Sequence, residues 1–400
     1  MIARRSNIVF LCLIMLTLIV GCEKDVAPPF KIQLVGGLGQ LIQPVQGDMN
    51  GDGKPDLVAM SYSGTNHYAT IFVNKSSPGT LNYPSSFRRI NILTGNYNHT
   101  SIADIDGDGK QDVILSNAGV FSVLRQNNSY DSLVKKSFDA PVLFKGSSNG
   151  VLMIADIDND HKPDFITWNY SNALTIIKNQ GNPGSFNQSS FGNSLNITLD
   201  DDTQGVELAD LNSDGLPEII VNRGSQLLIL INNSKSALLP NSFSIPIAID
   251  IAATDFKVKD MDGDNRAEIV LQRNSNTITI YKNDGSGPVV QAEDFTRTKE
   301  LTLGSKNVML SGWAIDNTDN DTFRDVIVGA TDTDGLHTIK IFKSRAAAAD
   351  ITVAFAEAPY ILTTDFAASS FSIADFDTDG KKDIACMLVS VLFIFRNQNF

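Results

Sequence analysis

The stretch that decides the fold is Asp104-Ile105-Asp106-Gly107-Asp108-Gly109-Lys110-Gln111-Asp112, which places four aspartates within nine residues. Without a cation, the mutual repulsion of these carboxylates would oppose a compact loop. Glycine at Gly109 permits backbone angles that other residues avoid, so the chain is expected to turn sharply there. The stretch therefore predicts a tight acidic loop folded around a positive ion.

The same nine-residue pattern, Asp-x-Asp/Asn-x-Asp-Gly-x-x-Asp/Glu, occurs seven times in the 400-residue chain, with starts 50 to 58 residues apart. The copies begin at Asp48, Asp104, Asp156, Asp210, Asp260, Asn317 and Asp375. Self-similarity at such a period is typical of solenoids and propellers. The chain is therefore read as seven copies of one structural unit.

Each unit contains the patterns of four short strands. In the second unit a short run ends at Ala103 before the loop, Val113-Ile114-Leu115 follows it, and a third apolar run extends from Phe121 to Leu124. A turn-rich segment then leads to Phe138, at or near a fourth strand. Such β-branched and apolar runs favour strands. Seven four-stranded units predict an all-β fold, a seven-bladed β-propeller.

The two ends of the chain indicate how the ring closes. The seventh unit reaches Phe400 just after its third strand, whereas the segment from Phe30 to Val35 precedes the first loop and has no unit of its own. We expect this N-terminal strand to complete the last blade. An open solenoid, the alternative architecture, would leave the segment unexplained. A small residue, such as Gly47 or Ala103, usually precedes the loop, which predicts tight packing of the innermost strands.

The loops are predicted to bind calcium, up to seven ions in all. Oxygen ligands at alternating positions suit a hard cation, and calcium accepts six to eight of them, whereas magnesium demands a stricter octahedron. Side chains at positions one, three, five and nine and the backbone carbonyl at position seven are the predicted ligands. In chain order they are Asp48, Asn50, Asp52, Lys54 and Asp56; Asp104, Asp106, Asp108, Lys110 and Asp112; Asp156, Asp158, Asp160, Lys162 and Asp164; Asp210, Asn212, Asp214, Leu216 and Glu218; Asp260, Asp262, Asp264, Arg266 and Glu268; Asn317, Asp319, Asp321, Phe323 and Asp325; and Asp375, Asp377, Asp379, Lys381 and Asp383.

The seven loops are not equivalent. The third replaces the position-six glycine by His161 and the fifth by Asn265, while the sixth has Thr322 there and, with Asp316, one extra residue relative to the pattern. The sixth site is therefore expected to be the weakest or empty. The alternative interpretation is that the loops are Asx-type turns whose carboxylates are solvated.

The N-terminus has the parts of a secretory signal. Arg4 and Arg5 precede an apolar run from Ile8 to Val20, which is short for a membrane span. Ile19-Val20-Gly21-Cys22 resembles a bacterial lipobox, which implies a lipoprotein signal peptide over residues 1–21 and lipidation of Cys22. Residues 22–29 then form a tether, and the protein is exported and lipid-anchored, at the outer membrane or cell surface. A signal peptide that is cut elsewhere is the alternative.

Across residues 30–400 the repeats resemble the FG-GAP and VCBS repeats of integrin α-subunit propellers and of many bacterial surface proteins. The motif from Asp104 to Asp112 is specific to that class when it is repeated. The resemblance implies that the matching Asp, Asn and Glu positions bind calcium and that calcium makes the propeller rigid. The Phe-Gly-Gly-Ala-Pro segment of one branch is absent from the sequence, so the repeats are closer to the VCBS type. The class does not fix a function.

Composition and motifs favour binding over catalysis. A net charge of −13 argues against nucleic acid as a partner, since phosphate binding needs clustered Lys and Arg side chains. His67, His99, His161 and His337 lie at unlike places in different units, and no catalytic residues are predicted. We expect a binding or adhesion module for a glycan or protein partner. The alternatives are a polysaccharide-active enzyme, a lyase or hydrolase, or a structural component of the envelope.

Two further features have open interpretations. Trp168 and Trp313 either form part of a sugar-binding platform or pack between blades. Cys386 lies in an apolar run and is expected to be a buried hydrophobic residue, not a nucleophile.

Overall fold

This computed structural model describes residues 30–36, 41–82, 85–117, 119–127, 133–145, 151–169, 172–199, 202–234, 237–304, 308–344, 355, 358–388 and 391–398. All seven acidic loops lie within these ranges. The predicted signal peptide, Cys22 and the tether lie outside the described residues. No helix in the described ranges has the length and apolar character needed to cross a membrane.

The described chain forms 28 strands and three short 3-10 helices. The strands are β1 (Phe30–Gly36), β2 (Leu41–Gly47), β3 (Asp56–Ser63), β4 (Asn66–Asn74), β5 (Phe87–Thr94), β6 (His99–Ala103), β7 (Asp112–Asn117), β8 (Val120–Leu124), β9 (Val142–Lys145), β10 (Val151–Ala155), β11 (Asp164–Trp168), β12 (Ala173–Asn179), β13 (Phe191–Thr198), β14 (Gly205–Ala209), β15 (Glu218–Asn222), β16 (Leu227–Leu230), β17 (Ile247–Ile249), β18 (Asp255–Lys259), β19 (Glu268–Asn274), β20 (Thr277–Asn283), β21 (Phe295–Thr302), β22 (Met309–Asp316), β23 (Asp325–Thr331), β24 (His337–Phe342), β25 (Tyr360–Thr364), β26 (Ala368–Ala374), β27 (Asp383–Leu388) and β28 (Val391–Asn397). The 3-10 helices are Lys135–Ser137, Gln188–Ser190 and Ala292–Asp294.

The strands form seven antiparallel sheets of four. Blades one to six are β2–β5, β6–β9, β10–β13, β14–β17, β18–β21 and β22–β25, each with its strands in chain order. Blade seven has the order β26-β27-β28-β1, and β1 pairs antiparallel with β28, with Phe30 opposite Asn397. The predicted seven-bladed propeller, and its closure by the N-terminal strand, are therefore confirmed.

The core lies between neighbouring blades. Second strands such as β7 are buried along nearly their whole length because another blade covers each face of the sheet. This explains why they read as continuous apolar runs such as Val113-Ile114-Leu115. One cluster joins Met261 and Val270 of blade five to Trp313 and Val328 of blade six. Cys386 is fully buried in another cluster with Phe395, as expected for a hydrophobic residue.

The first strands are innermost and lie against one another, as β2 does against β6 and β26. A side chain at Gly47 would collide with Ile102 of the next blade, and one at Gly329 would collide with the backbone carbonyl of Ala368. Gly329, in the second strand β23, has no room for a Cβ atom because backbone blocks it, whereas a Cβ atom at Gly47 would require the end of the Ile102 side chain to move. Small residues are therefore favoured where blades approach most closely. The prediction of tight packing before the loop is confirmed at Gly47.

Candidate metal centres

The seven acidic loops join the first strand of each blade to the second, so all of them lie at the same end of the ring. Each loop needs a left-handed backbone at position four, and six of them also need it at position six. Gly107 and Gly109 supply these angles in blade two, with φ of 66° and 84°. His161 and Asn265 adopt φ of 64° and 67° at position six without being glycine. The predicted turn is confirmed there.

Backbone amides orient the carboxylate at position one. In blade two the amides of Asp108 and Gly109 donate to the two oxygens of Asp104, at 3.1 and 2.8 Å. Blades one, three, four and seven repeat these bonds from positions five and six. The Oδ1 atom of Asp108 at position five accepts a further bond from the amide of Lys110. Backbone amides of the loop thereby hold the carboxylates at positions one and five, Asp104 and Asp108, in place.

The carboxylate at position nine has a second role that the sequence did not reveal. Asp112 is fully buried, and its oxygens accept bonds from the amides of Ile105 at 3.0 Å and Gln126 at 2.7 Å. It therefore ties the start of the loop to the end of the third strand. The other fully buried position-nine residues that receive the equivalent amide bonds are Asp56, Asp164, Glu268, Asp325 and Asp383. Glu218 is also fully buried and accepts the amide of Leu211 at 2.7 Å, but its Oε1 atom has no hydrogen-bond partner.

Burial raises the pKa of every position-nine carboxyl, and neighbouring carboxylates add to the effect. The pKa is raised to about 7 for Asp112 and to about 8 for Asp383, although two backbone amides oppose the shift in each case. It is raised likewise to about 6, 7 or 8 for Asp56, Asp164, Glu218, Glu268 and Asp325. A charged carboxylate in this setting gains from a nearby cation.

The oxygen positions fit a single ion in four of the loops. One carboxylate oxygen from each of Asp104, Asp106 and Asp108 lies within 4.8 Å of the others. Ligands that surround calcium at 2.3–2.6 Å are separated by distances of this order. The same convergence occurs at Asp156, Asp158 and Asp164; at Asp260, Asp262 and Glu268; and at Asp375, Asp377 and Asp383. In addition, the Oδ1 atoms of Asp158 and Asp377 are buried and accept no hydrogen bond.

Blade six departs from the common geometry. Thr318 donates to Asp325 with the spacing that Ile105 and Asp112 have, so Asn317 is position one and the loop has nine positions. The prediction that the sixth loop has one extra residue was wrong, because Asp316 is the last residue of β22 and lies opposite Asp325. Thr322 does not have the positive φ of the other position-six residues. Instead of amides from positions five and six, Asn317 accepts amides from positions three and four, Asp319 and Asn320.

A basic residue at the end of the third strand reaches into the acidic loop of its own blade. Lys178 forms ion pairs with Asp158 and, at 2.9 Å, with Asp160. Blades two, five, six and seven contain the equivalent pairs Arg125–Asp106, Lys282–Asp262, Lys343–Asp319 and Arg396–Asp377. The sequence analysis missed these basic residues because the nine-residue pattern ends before the third strand. The signal was a Lys or Arg directly before a recurring Asn or its substitute.

That recurring residue joins one blade to the next. The side-chain amide of Asn179 in blade three donates to the carbonyl of Ile105, at position two of the blade-two loop, at 2.8 Å. The same bond links Asn74, Asn232, Asn283 and Asn397 to position two of the preceding loop. Each of these acidic loops is thus held by its own blade and by the following one.

The two tryptophans are core residues and do not contribute an exposed aromatic surface. Trp168 is 5% exposed and Trp313 is 8% exposed, and both pack in clusters between blades. Trp313 also donates its Nε1–H to Asp255 at 2.7 Å. A cavity of about 530 Å³ lies instead at the centre of the ring, where Val45, Ile102, Ile154, Glu207 and Leu208 of the innermost strands line it. The histidines lie in separate blades: His67 in blade one, His99 in blade two, His161 in blade three and His337 in blade six.

Comparison with known proteins agrees with this architecture. A family model described as FG-GAP-like repeat matches residues 48–115 and 156–221. The chain is similar in structure to BBS1N from a complex with ARL6DN, with 10% identity, a TM-score of 0.57, and coverage of 94% of this chain and 98% of that one. It is also similar to a lectin of Agrocybe aegerita that recognises non-reducing terminal N-acetylglucosamine, with 15% identity, a TM-score of 0.52, and coverage of 82% and 86%.

No curated protein matches the sequence at a significant level. At these identities the structural likeness speaks for the fold alone, whereas the family match speaks for the repeats themselves. The chain is a seven-bladed β-propeller, and two of its segments, residues 48–115 and 156–221, are similar to an FG-GAP-like repeat.

Proposed function

We propose that this protein is a non-catalytic binding module whose blades are stabilised by calcium in the acidic loops. The observation that carries the proposal is the convergence of carboxylate oxygens within 4.8 Å in four loops. Their arrangement around buried, unbonded atoms of Asp158 and Asp377 supports a bound cation. Because five of the loops are also hydrogen-bonded to the next blade by its third-strand Asn, an ion there would strengthen these junctions of the ring.

The ligand of the module is proposed to be a glycan or a protein segment that binds at the central channel. The channel cavity of about 530 Å³ is within the usual size range of ligand sites. Its wall combines aliphatic side chains with polar groups, among them Ser101 and the charged Glu207. The N-acetylglucosamine that the Agrocybe aegerita lectin recognises makes this sugar the first glycan to test.

Calcium removal should lower the melting temperature of the purified full chain. An ion that binds the folded state adds about 2.7 kcal/mol per site at a hundredfold excess over its Kd. We expect EDTA to lower the transition, calcium to restore it and magnesium at equal concentration to restore it less. Asp104→Asn should reduce the calcium response, whereas Glu300→Gln, on the exposed outer strand β21, should keep it. An identical melting curve in EDTA and in calcium, with no bound calcium by elemental analysis, would contradict the proposal.

Ligand binding is tested separately with a glycan array and with cell-envelope proteins, each probed by the calcium-loaded chain. Binding that weakens in Glu207→Ala but not in Glu300→Gln would support the channel as the site. Cleavage of a bound polysaccharide would instead establish the enzymatic alternative.

Export and lipid anchoring are also proposed from the N-terminal sequence. They predict that a radioactive fatty acid labels the natural chain and does not label Cys22→Ala.

A further inference from the structure

Position three of the acidic loop varies together with the residue at the end of the third strand. In the five blades that have Asp at position three, the third-strand residue is Lys or Arg. In blades one and four position three is Asn50 or Asn212, and the third-strand residue is Val73 or Ile231. The two positions are about 20 residues apart in sequence but adjacent in every blade where the ion pair forms. The seven copies thus contain only two combinations, Asp with a base in five blades and Asn with an aliphatic residue in two.

The paired groups are shielded from water. The carboxylate of Asp158 is fully buried and Lys178 keeps 16% of its side chain exposed. Asp106 and Asp377 are likewise fully buried opposite Arg125 and Arg396. A buried carboxylate that loses its only basic partner is strongly destabilising, whereas exchange of both partners for uncharged groups is often neutral. The matched pairs have the pattern that this rule predicts.

In blade four the amide of Asn212 takes over part of the base's role. Its Nδ2 donates to Oδ2 of Asp214, the position-five carboxylate, at 3.0 Å. In blade three the ammonium group of Lys178 contacts the same oxygen of Asp160 at 2.9 Å. An amide dipole or a charged base therefore faces position five in both versions, and the uncharged version needs no third-strand cation.

The two versions give the loop the same formal charge. Four carboxylates and one third-strand base make −3 in blades two, three, five and seven, and three carboxylates without a base also make −3 in blades one and four. Blade six has three carboxylates and Lys343, which makes −2. Position-seven side chains are left out of this count because those of Lys54, Arg266 and Lys381 hydrogen-bond to backbone carbonyls outside the loop. Lys110 is the exception among them in contacting Asp108, at 2.7 Å.

We infer that the third-strand residue is a charge-setting element of the acidic loop, a built-in counter-ion that neutralises the position-three carboxylate and holds the loop at −3. It is a positioning residue and not a metal ligand. Its effect on cation affinity rests on the proposed function, since it presupposes that the loops bind calcium. The pairing of the third-strand residue with position three does not depend on the proposed function. Blade six, at −2, is then the loop least able to hold a divalent ion.

A double-mutant cycle in blade three tests the pairing. Asp158→Asn, Lys178→Ile and the double variant are compared with the natural full chain by thermal melting in EDTA. Lys178→Ile should melt roughly 5 °C lower because it leaves the buried carboxylate of Asp158 without its base. Asp158→Asn should lower the melting temperature by less, because Lys178 keeps its ion pair with Asp160. The double variant reproduces the pair of blade four and should recover most of the loss. Losses that simply add in the double variant would overturn the inference.

The reciprocal cycle in blade four protects the test against variants that do not fold. Ile231→Lys introduces a base without its carboxylate, and Asn212→Asp introduces a carboxylate without its base. Each should lower the melting temperature, and the double variant, which reproduces the pair of blade three, should restore it. Should the single variants of blade three fail to fold while their double variant folds, that result also supports the pairing. Additive losses in blade four would count against it.

Repeating the blade-three cycle in calcium tests the charge setting. The rise in melting temperature on adding calcium should be largest for Lys178→Ile, whose loop has −4, and smallest for Asp158→Asn, whose loop has −2. The natural chain and the double variant, both at −3, should respond equally. Equal rises in all four proteins would overturn the charge-setting role. A lack of response in all four would reject the proposed calcium function, while the result in EDTA still decides the pairing.

Discussion

The length of the amide side chain at the end of the third strand, Asn or Gln, decides whether it bonds to the preceding blade. Asn179 and its equivalents donate to the preceding loop, whereas blade two has Gln126 at this place. Both polar atoms of the Gln126 side chain are buried and have no hydrogen-bond partner. Such groups cost free energy because they lose their hydration without compensation. The longer side chain does not make the bond to blade one that Asn would make.

We predict that Gln126→Asn stabilises the propeller. The shorter amide should reach the carbonyl of Met49, at position two of the blade-one loop, and contribute about 1 kcal/mol to the free energy of unfolding. Urea denaturation in EDTA measures the change. The control is Asn179→Gln, which should lose a comparable amount by breaking the bond to Ile105. A lower denaturation midpoint for Gln126→Asn would show that the blade-two junction is built differently.

At the scale of the element, each acidic loop depends on the third strand of its own blade. The position-nine carboxylate accepts hydrogen bonds from a backbone amide of the loop and from one at the end of the third strand, as Asp112 does. Loop and strand are therefore expected to unfold together. The third-strand base adds an ion pair at position three, and the position-one carboxylate is held within the loop. In blade two these three contacts involve Asp112, Arg125 and Asp104. The loop is therefore partly organised before a cation binds.

We predict that Asp112→Asn destabilises the protein even in EDTA. One buried backbone amide would lose its acceptor, which costs about 1–3 kcal/mol. The expected result is a lower midpoint in urea at constant slope. Asp52→Asn is the matched control, because Asp52 is an exposed position-five carboxylate of blade one. Equal, small effects of the two substitutions would mean that position nine serves the metal and not the blade.

At the scale of the whole molecule, both ends of the chain meet in one sheet. β1 fills the fourth place of blade seven, where Ile32 lies opposite Phe395 and Leu34 opposite Phe393. Without it, β28 would become an open sheet edge with unpaired backbone groups. Such edges are prone to pair with other chains. Closure by β1 thus contributes to the stability of the ring and protects it from self-association.

We predict that a chain that begins after Gly36 melts at a lower temperature and self-associates. The control is a chain that begins at Phe30, which keeps β1 and removes only the residues before it. Size-exclusion chromatography with light scattering reports the oligomeric state, and circular dichroism reports melting. Identical behaviour of the two truncated chains would show that β1 does not contribute to closure.

The repeat period, the strand pattern and the seven loops were readable from the sequence, because each depends on neighbouring residues. So was the closure of the ring, since one end had a strand too many and the other a strand too few. The sequence also marked blade six as unusual through Thr322, although it misplaced the role of Asp316. The position-nine bonds and the third-strand bases were not found, because their partners are many residues away.

By itself, the sequence determined the number of blades and the acidic loops, because local spacing and residue type suffice to specify a repeated unit. The tertiary structure alone decided that Trp168 and Trp313 are core residues, that Asp158 meets Lys178, and that Asn179 bonds to the preceding blade. These contacts form when the third strand folds back onto its loop and one blade packs on the next. Burial and partner choice are set by that packing, which no local pattern records.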